Sequence, residues 1–348
     1  MGERKRRLDA ISKGILPQRK FLSEFAVSLF SASWLMITPD QLMSDGEIRA
    51  EDKQIIEGCH IYLICRRPAQ RFNPDDFKFE DGRISGSLIY RIEGGEIRTP
   101  FEWPFELYDG AVRVQLTYPY RKIATISPEG KIERYLPANA LSLWGAVHDE
   151  RLRQFEVLYV GQAFGDGSRD AFTRLRSHTT LQKILANTVA EYPDDEVMIF
   201  TFKYDPYRVL ASFDGRTKGT ISGEEDERRY SKLFHGGLSE KQQVCLAEAG
   251  LIRYFQPKYN KIYRDSFPAA DQKVLNECYL MDFSALVVEI DTEYYRVSLY
   301  SEATFPAEHH TARFNLVDPR TRWGFLTFVD DDGSPSEMPG TIQTTKFA

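Results

Sequence analysis

The sequence predicts an α+β protein in three parts. Three observations carry that expectation. Between residues 54 and 137, six short runs (IYLICR, GSLIYRI, GEIRTPF, AVRVQLTY, KIATISP and KIERYL) are rich in β-branched and aromatic residues and are parted by turn residues. From 141 to 260, strand-like and helix-like stretches alternate. After Asn260 the chain returns to strand-like runs. The expected parts are an N-terminal helix plus an antiparallel β-sandwich or barrel-like domain over 1–137, a small α/β domain over 138–265, and a C-terminal β-rich extension over 266–348.

The 348 residues suffice for more than one domain, and 42% hydrophobic with 28% charged residues is ordinary for a globular chain. The net charge of −6 does not announce a basic nucleic-acid surface. Residues 151–265 hold 18 Lys+Arg against 16 Asp+Glu, while the rest holds 27 against 35. The centre is therefore the least acidic part and the one that admits a polyanion. Cys59, Cys65, Cys245 and Cys278 form no CxxC pair, which argues against a disulfide framework or a zinc site. No apolar run reaches the roughly 20 residues a membrane span needs. The basic start MGERKRR is parted from FAVSLFSASWLMI by too polar a stretch for a signal peptide. A cytoplasmic protein without membrane contact is expected.

Residues 18–37 read as an amphipathic helix, with Phe21, Phe25, Leu29 and Phe30 near helical spacing. Phe101, Trp103, Phe105 and Tyr108 form an aromatic group whose simplest role is packing. LPANALS (136–142) reads as a linker. LSLWGAV and FEVLYVG read as a hairpin, followed by a helix over 171–190 and a strand EVMIFTFKYD. A polar loop covers 214–227. A helix follows over 239–255 with Ser239 as its N-cap. The tail from Asp330 reads as a mobile end.

Three fragments of the central part carry chemistry: YVGQ (159–162), RLRSH (174–178) and EAGLIRYFQPKYN (248–260). In this order they resemble the GIY-YIG nuclease family, small α/β domains that cut nucleic acid with one divalent metal ion. YVGQ is similar to the family's second signature strand. RLRSH is similar to its first helix, with a His four residues after an Arg. Glu248, Ile252, Pro257 and Asn260 follow its metal-ligand Glu, apolar position, Pro and Asn. The resemblance covers about residues 141–265.

That resemblance implies a metal-dependent endonuclease acting on nucleic acid, with DNA the expected polymer. Glu248 would hold Mg2+ or Mn2+, because hard cations take oxygen ligands. Arg174 would grip the scissile phosphate through its planar fork. His178, on the same helix face as Arg174, would move a proton or orient water. Tyr159 would place its hydroxyl at the water or phosphate, and Asn260 would anchor the ligand loop. Arg176, Lys258 and Lys261 would contact phosphates. Taken singly, Glu248 also reads as a solvated helix residue, Tyr159 as a packed strand tyrosine and His178 as a capping or core histidine.

The first signature strand is where the chain departs from the family. Its best candidate is GAV (145–147), which lacks the family's Tyr and is followed by His148. His148 could stand in as general base, or the domain could be an inactive module that binds nucleic acid or protein. A third reading is an assembly protein whose β regions face a protein partner or a second copy of the chain.

Overall fold

The strand that opens the fold, Ser23–Ile37, lies inside a mixed sheet whose members come from all three sequence spans. The computed structural model describes residues 19–43, 55, 58–108, 110–163, 175–176, 178–213, 215, 217, 220–330 and 334–346. In chain order, β1 (Ser23–Ile37), α1 (Pro39–Met43) and β2 (Ile61–Pro68) come first. Residues 69–153 then make an intervening module of β3 (Arg71–Phe72), β4 (Lys78–Glu80), β5 (Arg83–Ile92), β6 (Gly95–Pro104), β7 (Arg113–Leu116), β8 (Lys122–Ile126), β9 (Ile132–Pro137) and α2 (Ala138–Leu143). Next are β10 (Gln154–Gln162), α3 (Thr179–Glu191), β11 (Asp195–Tyr204), β12 (Arg208–Phe213), α4 (Glu224–His235) and α5 (Glu240–Phe255). The last part adds α6 (Asn276–Leu280), β13 (Ala285–Asp291), β14 (Ser298–Ser301), β15 (Thr304–Ala307), β16 (His309–Asn315), β17 (Thr327–Val329), β18 (Pro335–Glu337) and β19 (Thr341–Ile342).

The main sheet runs β15-β14-β10-β2-β11-β1-β13-β16-β19, with β12 beside β1. Helices and strands are thus mixed as expected for α+β. The boundaries expected at 137 and 265 do not divide this sheet, because β1, β2, β10, β11 and β13 all pair within it.

The segment expected as a helix over 18–37 is β1. Phe25 and Leu29 are four apart, a spacing that fits a helix turn and also two strand repeats. Val27 between them is fully buried and completes the period of two. Ser23 to Leu29 is buried throughout, and β12 and β13 pair with the two edges of that half of the strand.

The expected hairpin of LSLWGAV with FEVLYVG does not form. Leu141 to Leu143 belong to α2, which also replaces the expected linker. The antiparallel partner of β10 is β2, with Gly161 opposite Tyr62 and Glu156 opposite Arg66. Two strands that are neighbours in space are therefore separated in sequence by residues 69–153. That module holds β5 between β6 and the short β3 and β4, plus the antiparallel β7-β8-β9, over one core that includes Phe72, Leu88, Ile123 and Leu136. Phe101, Trp103 and Phe105 pack in or against this core, as expected of the aromatic group. Arg67, with side-chain exposure of 0%, pins module to sheet. Its guanidinium donates to Glu196 Oε1 at 2.9 Å and to the Leu152 carbonyl at 2.6 Å.

Both faces of the sheet are covered. Along β2, Ile61, Leu63 and Cys65 join the core under α5, while Tyr62 and Ile64 join the core under α3. The strand's alternation makes this division. α5 begins as expected at Ser239, which forms a capping box with Gln242. Gln256 ends it in a left-handed conformation, and Pro257 follows.

α4 begins at Glu224, within the span expected as a loop. Four acidic residues in its first turn and Lys232 with His235 in its last suit the helix dipole. Glu24, Asp226, Arg229, Asp282 and Arg322 form a buried ionic cluster behind it. The tail expected to be mobile is tied down over its described part: β18 pairs with β17, and β19 pairs with β16.

Candidate functional site

The YVGQ strand and β2 bring two tyrosines together. β2 and β10 carry Tyr62 and Tyr159 on the α3 face, with ring centroids 6.1 Å apart. Gly161 makes this approach feasible. A methyl group there would stand 2.5 Å from the Tyr62 ring carbon and hydroxyl oxygen, and 2.8 Å from Tyr159 Cε1.

His178 occupies the N-cap position of α3 without making a side-chain cap. Its ring packs edge-on to Tyr62 at 5.9 Å and tilted to Tyr159 at 5.4 Å. Its Nε2 is 3.5 Å from the Tyr62 hydroxyl, at the outer limit of a hydrogen bond. A phenol and an imidazole so placed can share a proton.

Glu248 stands on α5, on the other side of the same strand end. The Gln162 amide donates to its Oε2 at 2.7 Å, and Cys245 Sγ lies 3.5 Å from Gln162 Oε1. Burial raises the Tyr263 phenol above its usual range, and the charges of Glu248 and Cys245 add to this. Glu248 is half-buried. No group of three or more His, Cys, Asp or Glu among the described residues could cage a metal. A single oriented carboxylate does fit Mg2+ or Mn2+, which keep water ligands and bind through one or two carboxylates plus substrate phosphate.

Asn260 is buried and clamps the tyrosine strand from behind. Its Oδ1 accepts from the Val160 amide at 2.9 Å, and its Nδ2 donates to the Val160 carbonyl at 2.8 Å. The Tyr259 amide adds a bond to the Leu158 carbonyl at 3.1 Å. The expected anchoring role is what this geometry performs, through backbone and not through a reacting atom.

Other expected residues lie elsewhere. His148 belongs to the intervening module and lines a cavity with Thr99, Arg151 and Gln154. Gln154 starts β10 and lies about 17 Å along the strand from Tyr159, and His148 shares the cavity at that far end. It cannot substitute for a tyrosine beside Tyr159, and GAV is not the strand that pairs with YVGQ. Arg176 donates to the Leu42 carbonyl at 2.7 Å, which ties it to α1. Lys258 is exposed, 3.8 Å from Glu191, and Lys261 is exposed. Arg174 lies outside the described residues.

Tyr62 and Gln162 are the candidates that sequence reasoning passed over. A signal for Tyr62 existed: His60-Ile61-Tyr62 ends on tyrosine and opens an apolar strand. Its distance in sequence from YVGQ hid the pairing. Gln162 was quoted as part of YVGQ without a role. No family model, curated protein or solved structure matches this chain. Among the described residues no helix is long and apolar enough to cross a membrane.

Proposed function

We propose that the chain is a metal-dependent phosphodiester hydrolase of the GIY-YIG type, acting on nucleic acid. The observation that carries this reading is the meeting of Tyr62, Tyr159 and His178 beside Gly161, with Glu248 tied to the same strand end through Gln162. His60-Ile61-Tyr62 takes the part of the first signature triplet. Tyr62 supplies a tyrosine beside Tyr159, which supports the active reading over that of an inactive binding module.

A water attacking phosphorus must lose a proton, and the leaving oxygen must gain one. The Tyr62 hydroxyl can pass its proton to neutral His178 while it takes one from the water. The imidazole is suited to this because its ordinary pKa is near 6.5, whereas a phenol's is near 10. Tyr159 lies against both rings and can orient the water or a phosphate oxygen. Glu248 would hold Mg2+ or Mn2+, and the ion when bound supplies relief of charge on the phosphate oxygens. Asn260 holds the tyrosine strand in place, and Gln162 holds the Glu248 carboxylate. The module over 69–153 would supply contacts to substrate or partner.

Purified protein is expected to nick plasmid DNA or cut RNA with Mg2+ or Mn2+ and to stop when the ions are chelated. Glu248→Ala and Tyr62→Phe should each lower the rate by about 100-fold or more. Absence of cutting on duplex DNA, single-stranded DNA and RNA would refute the reading. Undiminished cutting by Glu248→Ala would refute the role of Glu248.

A further inference from the structure

Where the intervening module meets the end of β11, a pocket of about 230 Å3 is lined by Gln70, Arg71, Arg91, Tyr118, Arg121 and Asp194, among others. It lies outside the tyrosine site. Three guanidiniums converge on it. Arg71 Nη2 is 3.2 Å from Glu96 Oε2, and Arg91 is shared between Glu96 and Asp194 at 3.8 Å each. Arg121 is exposed and has no carboxylate partner among the described residues. Arg98 also pairs with Glu96, at 3.1 Å, and Asp194 is the one carboxylate among the lining residues, against Arg71, Arg91 and Arg121. Gln70 is 2% exposed, and neither the donor nor the acceptor of its side-chain amide has a partner. Buried amides are ordinarily satisfied, so an unpaired one beside a pocket points to a missing polar ligand. On the rim, Tyr118 is 83% exposed.

We infer that this pocket binds a nucleotide unit, its phosphate on the arginines and its base stacked on Tyr118. Guanidinium forks match phosphate oxygens in pairs. An exposed ring beside such a fork offers the stacking platform that single-stranded nucleic acids use. The asymmetry of charge favours an anion, and the open rim lets a strand continue past the pocket.

This inference does not rest on the cleavage reading. Binding is measured in chelator, on the full chain and on Glu248→Ala, where hydrolysis is absent. The probe is a fluorescent single-stranded 12-mer, with inorganic phosphate and a mononucleotide as competitors. Arg71→Ala/Arg121→Ala should weaken binding at least tenfold. It should also flatten the slope of log affinity against log salt by about 0.7, the share of one phosphate contact on a single strand. Tyr118→Ala should weaken binding and Tyr118→Phe should restore it. Displacement of the 12-mer by the mononucleotide assigns the pocket to a free nucleotide, and its absence assigns it to a strand; either supports the site. Unchanged affinity and slope in the double variant overturn it. Unchanged affinity in Tyr118→Ala overturns the stacked base.

Discussion

Tyr62 stands directly across the sheet ladder from Gly161, and its ring fills the space that a side chain at 161 would need. Gly161→Ala is therefore expected to push both tyrosine rings off their positions. Overpacking of this kind costs about 1–3 kcal/mol. The variant should unfold at lower denaturant and cleave more slowly. An unchanged midpoint together with an unchanged rate would mean that the rings do not crowd the glycine.

Asn260→Ala removes both bonds to Val160 and strands a buried amide and carbonyl. At about 1–3 kcal/mol for each unsatisfied group, the loss should be about 2 kcal/mol or more. Asn260→Asp should recover less than half, because the carboxylate accepts but does not donate. Equilibrium unfolding in urea measures both. Wild-type stability in the Ala variant would reject the clamp.

His178 and His148 are two candidates for the proton acceptor, and their variants tell them apart. His178→Ala should lower cleavage by about 100-fold, the scale of lost general-base assistance. His148→Ala should leave the rate within a factor of two, since it lies at the far end of β10. The opposite ranking would return the role to His148.

The buried ionic cluster sets an acid limit. Burial pushes the Asp282 carboxyl up, but hydrogen bonds and charge from Arg322, with the charge of Arg229, outweigh it and hold the group below its usual range. Its stabilising contribution is complete above the unfolded-state value near 4 and is lost as pH falls through the lower folded value. Unfolding midpoints measured from pH 7 to pH 3 should drop at the acid end, and Asp282→Asn should flatten that drop. Arg322→Met takes the bidentate partner from Glu24, whose side chain is 0% exposed, and should cost about 3–5 kcal/mol. An acid profile identical in Asp282→Asn and wild type would exclude this source.

Local rules were legible where local physics decides. Ser239 marks the start of α5 in the sequence as it does in the fold, where Gln242 completes its capping box. YVGQ read as a strand because its apolar neighbours alternate. β1 did not, since a doubly buried strand lacks a polar face and Phe25 to Leu29 matches either period. The site was half legible for a related reason. Tyr159, His178, Glu248 and Asn260 lie within about 100 residues of one another and keep a familiar order. Tyr62 depends on a pairing across residues 69–153, which no local pattern encodes. His148 follows GAV and has the chemistry of a base, but nearness to a motif along the chain is not nearness in the sheet.

The pairing of β2 with β10 makes the tyrosine centre discontinuous along the polypeptide but removable from its surroundings in a defined way. A fragment over 138–265 would lack β2, the strand between β10 and β11, and would have no tyrosine pair to assemble. By contrast, Arg66 already faces Glu156, so Pro68 and Gln154 end within a short turn of each other. Joining them by a two- to four-residue turn would excise the whole module and leave the ladder intact. Arg67 would need replacing by an apolar residue once the Leu152 carbonyl is gone. Such a miniature would tell apart what the sheet does alone from what the module over 69–153 adds to it.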